Sequence, residues 1–166
     1  MPIIIEELGP DQWQRYRAVR LAALADSPDF FGSAHADEAA FDETRWRDRL
    51  RRRVPTLVAH DTGVDCGLAG GEPDDTQPKR IAWLVSMWVS PSHRRHGIGR
   101  RLIEAVISWA EQREFEELRL HVTEGNDPAR LLYQNLGFDM TGSSEPHPRV
   151  PSLRELEMCR PLKLSR

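Results

Sequence analysis

Between residues 89 and 102 the chain reads Val-Ser-Pro-Ser-His-Arg-Arg-His-Gly-Ile-Gly-Arg-Arg-Leu, and only there do paired glycines, clustered arginines and the start of a helical pattern coincide. Gly97 and Gly99 let successive backbone amides point inward at the helix start, where the dipole favours an anion. Arg94, Arg95 and Arg100 add fixed positive charge, so the layout suits a pyrophosphate. Leu102 stands where the Gly-x-Gly-x-x-Gly spacing of dinucleotide folds needs its third glycine, and no Gly-x-x-x-x-Gly-Lys phosphate loop occurs. Taken alone, a Gly-x-Gly is more often a strand-to-helix turn with a solvated basic face.

Short Val/Ile runs alternate along the chain with stretches of helical period. Residues 3–5 predict a first strand. A helix follows over 10–26, with Pro10 in its first turn and Ser27-Pro28 forbidding continuation. Residues 29–41 have no clean period and read as a loop or short helix. Asp42 caps a second helix that carries Trp46 and Leu50 one turn apart and stops before Pro55. Residues 56–60 and 64–70 form a hairpin around Asp61-Thr62-Gly63, and the polar stretch 72–80 is an exposed loop. The longest apolar run, 81–89, reads as a central strand covered on both faces. The anion-binding loop then feeds a helix over 99–114, with Leu102, Ala105, Val106 and Trp109 on one face. A strand over 118–123, a short helix over 128–136 and strands at 138–143 and 153–159 complete the order.

A length of 166 residues predicts one domain over 1–166 that buries roughly 70% of its unfolded surface. Adding the 11 glycines to the 39% of hydrophobic residues gives about 45% apolar against 30% charged, too apolar for a disordered chain. No apolar run approaches the about 18 residues of a membrane helix, and Glu6 and Glu7 stand where a secretory leader is basic. The expected location is cytoplasmic, without a membrane partner. Cys66 and Cys159, 93 positions apart, make neither a disulfide framework nor a thiolate metal site, and no metal cofactor is expected. With 23 basic and 26 acidic side chains the net charge of −3 argues against nucleic acid as a partner. Six arginines between residues 45 and 53 point all around a helix and read as a solvated surface rather than an RNA-binding patch. Of Trp13, Phe30, Phe31, Trp46, Trp83 and Trp88, most are expected in the core.

Arg94, Gly97 and Gly99 match the Arg-x-x-Gly-x-Gly signature of the GCN5-related N-acetyltransferases (GNAT superfamily), which this chain resembles. The second signature of that superfamily is matched by Asn126, Ala129, Tyr133, Gly137 and Phe138, 27 residues beyond Gly99. The resemblance is close over 81–139. It implies an α/β fold of the α+β type: a mixed, mainly antiparallel sheet with a splayed parallel central pair, flanked by about four helices. It also implies acetyl-CoA as co-substrate. Backbone groups of Met87, Trp88 and Val89 would bind the pantetheine arm as though it were a further strand. The loop Arg94, Arg95, His96, Gly97, Ile98, Gly99 and Arg100 would hold the pyrophosphate, and an amide near Met87 or Trp88 would polarise the thioester carbonyl. Asn126 would contact the arm or order a water, unless it caps the helix at Pro128.

By the same resemblance Tyr133 stands where the family has the acid that protonates the departing thiolate, although it also suits a core aromatic beside Phe138. His121 stands at a strand position resembling the glutamate that some branches use to draw the amine proton through water, although a lone histidine in a strand is more often structural. Glu124 is the next candidate base. The implied activity is direct transfer of an acetyl group to a primary amine, in a small molecule or a peptide, since neither cysteine sits at the cofactor motif. A non-catalytic acyl-CoA-binding module is the contrasting possibility. Acceptor choice would rest on the first two helices and residues 145–151, and a homodimer is possible.

Overall fold

The computed structural model describes residues 2–51 and 54–163. Seven strands make one sheet: β1 (Ile3–Glu7), β2 (Thr56–Asp61), β3 (Val64–Asp74), β4 (Ile81–Val89), β5 (Glu117–Thr123), β6 (Asp139–Pro146) and β7 (Arg154–Pro161). Their spatial order is β1-β2-β3-β4-β5-β7-β6, and every neighbouring pair is antiparallel except the central β4 and β5. Five helices join them: α1 (Trp13–Asp26), α2 (His35–Ala39), α3 (Glu43–Arg51), α4 (Ile98–Gln112) and α5 (Asp127–Asn135). The parallel pair follows from α4, because strands running the same way need a crossover rather than a hairpin. The mixed, mainly antiparallel fold class holds. The fifth helix is the five-residue α2, inside the stretch whose sequence has no clear period.

Helices pack on both faces of the sheet, the second face only over β2, β3 and β4, and β6 is exposed throughout. On one side Ile98, Leu102, Ile103, Val106 and Ile107 of α4 pack with Tyr133 of α5 over Ala82, Leu84, Leu118 and Leu120. Each such aliphatic side chain stabilises the fold by roughly 1.5–3 kcal/mol. On the other side Tyr16, Val19 and Leu24 of α1 and Trp46 of α3 pack over Val58, Leu68 and Trp88. Trp46, Phe31 and Trp88 are thus core residues, whereas Phe30 is exposed.

Several boundaries differ from the sequence-based expectation. The first turn of the first helix is a 3-10 segment, Pro10–Gln12, whose start is fastened by Gly9 N donating to Gln12 Oε1 at 3.0 Å. β1 runs on to Glu7, where it pairs with Leu57. β3 runs on to Asp74 because Glu72, Pro73 and Asp74 pair with Trp83, Ala82 and Ile81, which local polarity could not reveal. α4 begins one residue early and stops at Gln112, and Glu114 then turns with φ +62°. The last strands extend to Pro146 and Pro161. Asp42 caps α3 as expected, its Oδ1 accepting Arg45 N at 2.9 Å.

Among the described arginines of the run, Arg45 and Arg51 are exposed as a solvated surface would have them, and Arg49 is the exception. Arg45 lies over the Phe41 ring, Arg47 pairs with Glu43, Arg51 pairs with Asp48, and Arg49 bonds the buried Glu38. Arg52 and Arg53 lie outside the described residues. No described helix is long and apolar enough to cross a membrane.

Candidate active site

β4 and β5 pair only through Ile81↔Glu117, Ala82↔Leu118 and Trp83↔Arg119, then separate. The separation leaves residues 84–89 and 120–123 as the two walls of a wedge. Peptide groups on such facing edges need partners, and an extended ligand supplies them as an added strand would. On its other edge β4 carries a bulge: Leu68 pairs with Trp88 but Gly70 pairs with Val85, so Ser86 and Met87 are squeezed out of register. Ser86 sits in the left-handed region, φ +59°, a strained choice for a non-glycine residue.

The strain is held by a buried ion pair. Arg20 of α1 donates to Ser86 Oγ at 3.1 Å and grips both oxygens of Glu38 at 3.0 Å each. Arg49 adds a 2.6 Å bond to Glu38 Oε1. Burial alone pushes the Glu38 carboxyl up, but the two guanidiniums outweigh it and hold the group at about 2. Beside the bulge a cavity of about 50 Å³ is lined by Tyr16, Arg49, Gly70, Glu72 and Ser86.

At the end of β4 the chain makes a 3-10 turn, Pro91–His93, and reaches α4 through two left-handed residues, Arg95 (φ +65°) and Gly97 (φ +76°). Gly97 is the cap of α4, and the first bond back is Arg101 N to Gly97 O at 3.1 Å. The amides of Ile98, Gly99 and Arg100 therefore precede the helical ladder, as at any helix start. Gly99 is needed for closeness: a Cβ there would stand 3.2 Å from the Met87 methyl and 3.3 Å from Leu132. The loop is thus laid against the bulged strand.

Arg94, a candidate pyrophosphate contact, also makes bonds within the chain. Its Nε donates to Val89 O at 2.9 Å and its Nη2 to Asp26 Oδ2 at 2.7 Å, so the side chain fastens the loop to β4 and α1. Asp26 also accepts Trp88 Nε1 at 2.9 Å and Ser27 Oγ at 2.8 Å. Burial pushes its carboxyl up, yet these donors leave it below its usual range. Asp26 thereby joins α1, β4 and the loop, a role invisible in a sequence that separates it from its partners by 62 and 68 positions. Arg100 bonds Glu104 one turn on, and Arg95 and His96 are exposed. A hollow of about 570 Å³ between α4 and α5 touches only Arg100 of this loop. The wedge, not that hollow, adjoins the loop amides.

Asn126 is the residue before α5, but its side chain makes no capping hydrogen bond, which leaves its amide group for another partner. Ala129 is half-buried against the α4-side core. Tyr133 is buried, edge-on to Phe138 at 6.0 Å, and its hydroxyl bonds no other described residue. Burial raises its pKa well above the tyrosine range, so it keeps its proton. His121 lies two residues past the last β4–β5 pair, its ring 4.7 Å from that of Trp83. Glu124 is exposed just beyond β5. Cys66 lies beside the start of the loop, its carbonyl accepting Ser90 N at 2.8 Å while its thiol donates to Ala59 O, and burial raises the thiols of Cys66 and Cys159.

The 147–150 segment is tied to the loop after α1. His147 is buried, with Nδ1 accepting the amides of Arg149 and Val150 at 3.1 Å each. The Arg149 side chain bridges to Pro28 O and Phe31 O in the loop after α1.

The family model described as "Acetyltransferase (GNAT) family" matches residues 19–138. The chain belongs to the GNAT family of acetyltransferases. Mouse N-acetyltransferase family 8 member 3 is 32% identical over 89 residues, covering 52% of this chain and 39% of that protein. The chain thus spans about two fifths of the length of that curated relative. Among solved structures, a GNAT acetyltransferase from Streptococcus pneumoniae superposes with a TM-score of 0.82 at 22% identity, covering 98% of this chain and all of the other. A Salmonella typhimurium protein solved with its cofactor acetyl-CoA gives 0.74 at 18% identity, over 100% and 97% of the two chains. At such identities these structures speak for the GNAT fold alone.

Proposed function

We propose that this GNAT chain transfers the acetyl group of acetyl-CoA directly to a primary amine of a small molecule or peptide. The observation that carries the reading is the wedge between β4 and β5, which opens after Trp83 and Arg119 and ends on the amides around Gly97. The pantetheine arm lies along Met87, Trp88 and Val89 with its pyrophosphate on the amides of Arg95, His96, Gly97, Ile98, Gly99 and Arg100. Asn126 and Ala129 flank it on α5. The Salmonella typhimurium neighbour was solved with acetyl-CoA, which supports the same co-substrate for this chain.

The amine attacks the thioester carbonyl, the oxyanion of the tetrahedral intermediate is met by an amide near Met87 or Trp88 beside the bulge, and the intermediate expels CoA thiolate. Tyr133, held protonated by its burial, gives its proton to the sulfur. His121, on the other wall of the wedge, accepts the amine proton, with Glu124 the alternative. The buried, raised thiols of Cys66 and Cys159 favour direct transfer over an acetyl-cysteine intermediate. A thiol-release screen with acetyl-CoA against amines that include peptides tests the reading. Amine-dependent release is expected. CoA binding without release from any amine would point to a non-catalytic module.

A further inference from the structure

We propose that His121, Glu145 and Glu155 form a binding site for a divalent transition cation of the zinc class, on the open face of the sheet beside the wedge. One ligand atom from each lies within 4.8 Å of the others. His121 Nδ1 is 3.8 Å from Glu145 Oε1 and 3.9 Å from Glu155 Oε2. Ligands on a tetrahedron with bonds of about 2.1 Å stand about 3.4 Å apart. Closing the trio onto an ion therefore needs only small side-chain rotations.

The three residues come from three adjacent strands, β5, β6 and β7, whose hydrogen-bonded frame fixes their spacing. In that frame Glu145 and Glu155 are direct cross-strand partners. Like charges opposed in this way destabilise a sheet, and a cation between them removes the penalty. Among the described residues, the only charged-group partner of either carboxylate is His121. The neighbouring Glu157, by contrast, faces Arg119 at 3.7 Å. Trp83 packs against the imidazole and limits its freedom, which lowers the entropic cost of ligation.

The donor set selects the ion. An imidazole with two carboxylates suits zinc, cobalt or nickel, whereas magnesium and calcium prefer oxygen alone. A fourth position remains for water. The inference rests on the acetyl-transfer reading in one respect only: an ion on Nδ1 stops that nitrogen from accepting a proton, so the cation inhibits transfer.

Titration of the full chain with cobalt(II), followed by visible absorption, and with zinc(II) by calorimetry tests the site. One ion per chain is expected. Its affinity should fall at least about tenfold in both His121→Ala and Glu155→Gln, and stay unchanged in His35→Ala, an exposed histidine elsewhere. Circular dichroism of the variants confirms that the sheet is intact. Magnesium in excess should not displace cobalt. Binding weaker than millimolar, or equal affinity in wild type and His121→Ala, would overturn the proposal. CoA binding measured on the same preparations separates the two ideas: CoA bound without a cobalt site defeats the metal site alone, and a cobalt site without CoA binding defeats acetyl transfer alone.

Discussion

Replacing Gly97 with valine puts a β-branched residue at φ +76°, where nothing lies within 4 Å of the added Cβ. The perturbation is therefore backbone strain without a clash. An L-residue in this region costs about 1–2 kcal/mol, and a β-branched one lies toward the upper end of about 1–3 kcal/mol. That energy appears in one of two places. If the loop keeps its shape, folding bears the strain and the melting temperature drops by about 2–4 °C per kcal/mol. If the loop relaxes, the amides of Ile98, Gly99 and Arg100 move and CoA binding must restore them, which weakens affinity about fivefold to about a hundredfold. Because Gly97 caps α4 at an exposed turn, relaxation is the easier route and the larger effect falls on affinity. Calorimetric titration with CoA, together with a thermal melt, reads both. Arg51→Ala is the control, since Arg51 makes only an exposed pair with Asp48. Equal losses in the two variants, or a valine variant with unchanged affinity and melting temperature, would refute the reasoning.

Tyr133→Phe should lower kcat far more than it changes KM for acetyl-CoA, because the hydroxyl acts as the thiolate leaves; steady-state kinetics at saturating amine decide it, and an unchanged kcat removes Tyr133 from the mechanism. In His121→Ala the ascending limb of the pH–rate profile should vanish, leaving one that tracks the acceptor, near 10 for a lysine-like amine or near 8 for an α-amino group; an unchanged rate and limb would make the residue structural. The Glu38 carboxyl, lowered from 4.5 to about 2 in the folded chain, contributes stability that is full above its unfolded value and is lost as pH falls from about 4.5 toward 2. That contribution is on the order of 3 kcal/mol, so in denaturant titrations Glu38→Gln should be destabilised at neutral pH and show a flatter acid limb than the wild type.

The parts of the fold that were legible in the sequence are those whose signal is local. The run 81–89 is apolar throughout because β4 is central, and its bounds emerge unchanged. The glycines at 97 and 99 mark a loop and helix start because only there does the chain need a left-handed cap and a close approach to Met87. What stayed hidden depends on partners far along the chain. The bulge that turns Ser86 left-handed is written in the register of β3 against β4, not in the residues Val-Ser-Met. Asp26 reads as the end of a helix until Trp88 and Arg94 are folded onto it. Arg49 resembles the other arginines of the run in charge pattern, and among the described ones it is set apart by its bond to the buried Glu38. Arg94 matched a signature, and the structure gives its side chain a fastening role that the signature does not spell out. The His121, Glu145 and Glu155 trio is spread over 34 positions and three strands, beyond the reach of any spacing rule.

A crystal structure of the chain with acetyl-CoA tests the central claim most directly. The account predicts the pantetheine arm in the wedge, hydrogen-bonded to backbone groups of Met87 and Val89, the pyrophosphate on the amides from Arg95 to Arg100, and the thioester sulfur within hydrogen-bond reach of the Tyr133 hydroxyl. A cofactor lodged instead in the hollow between α4 and α5, with the wedge empty, would contradict it.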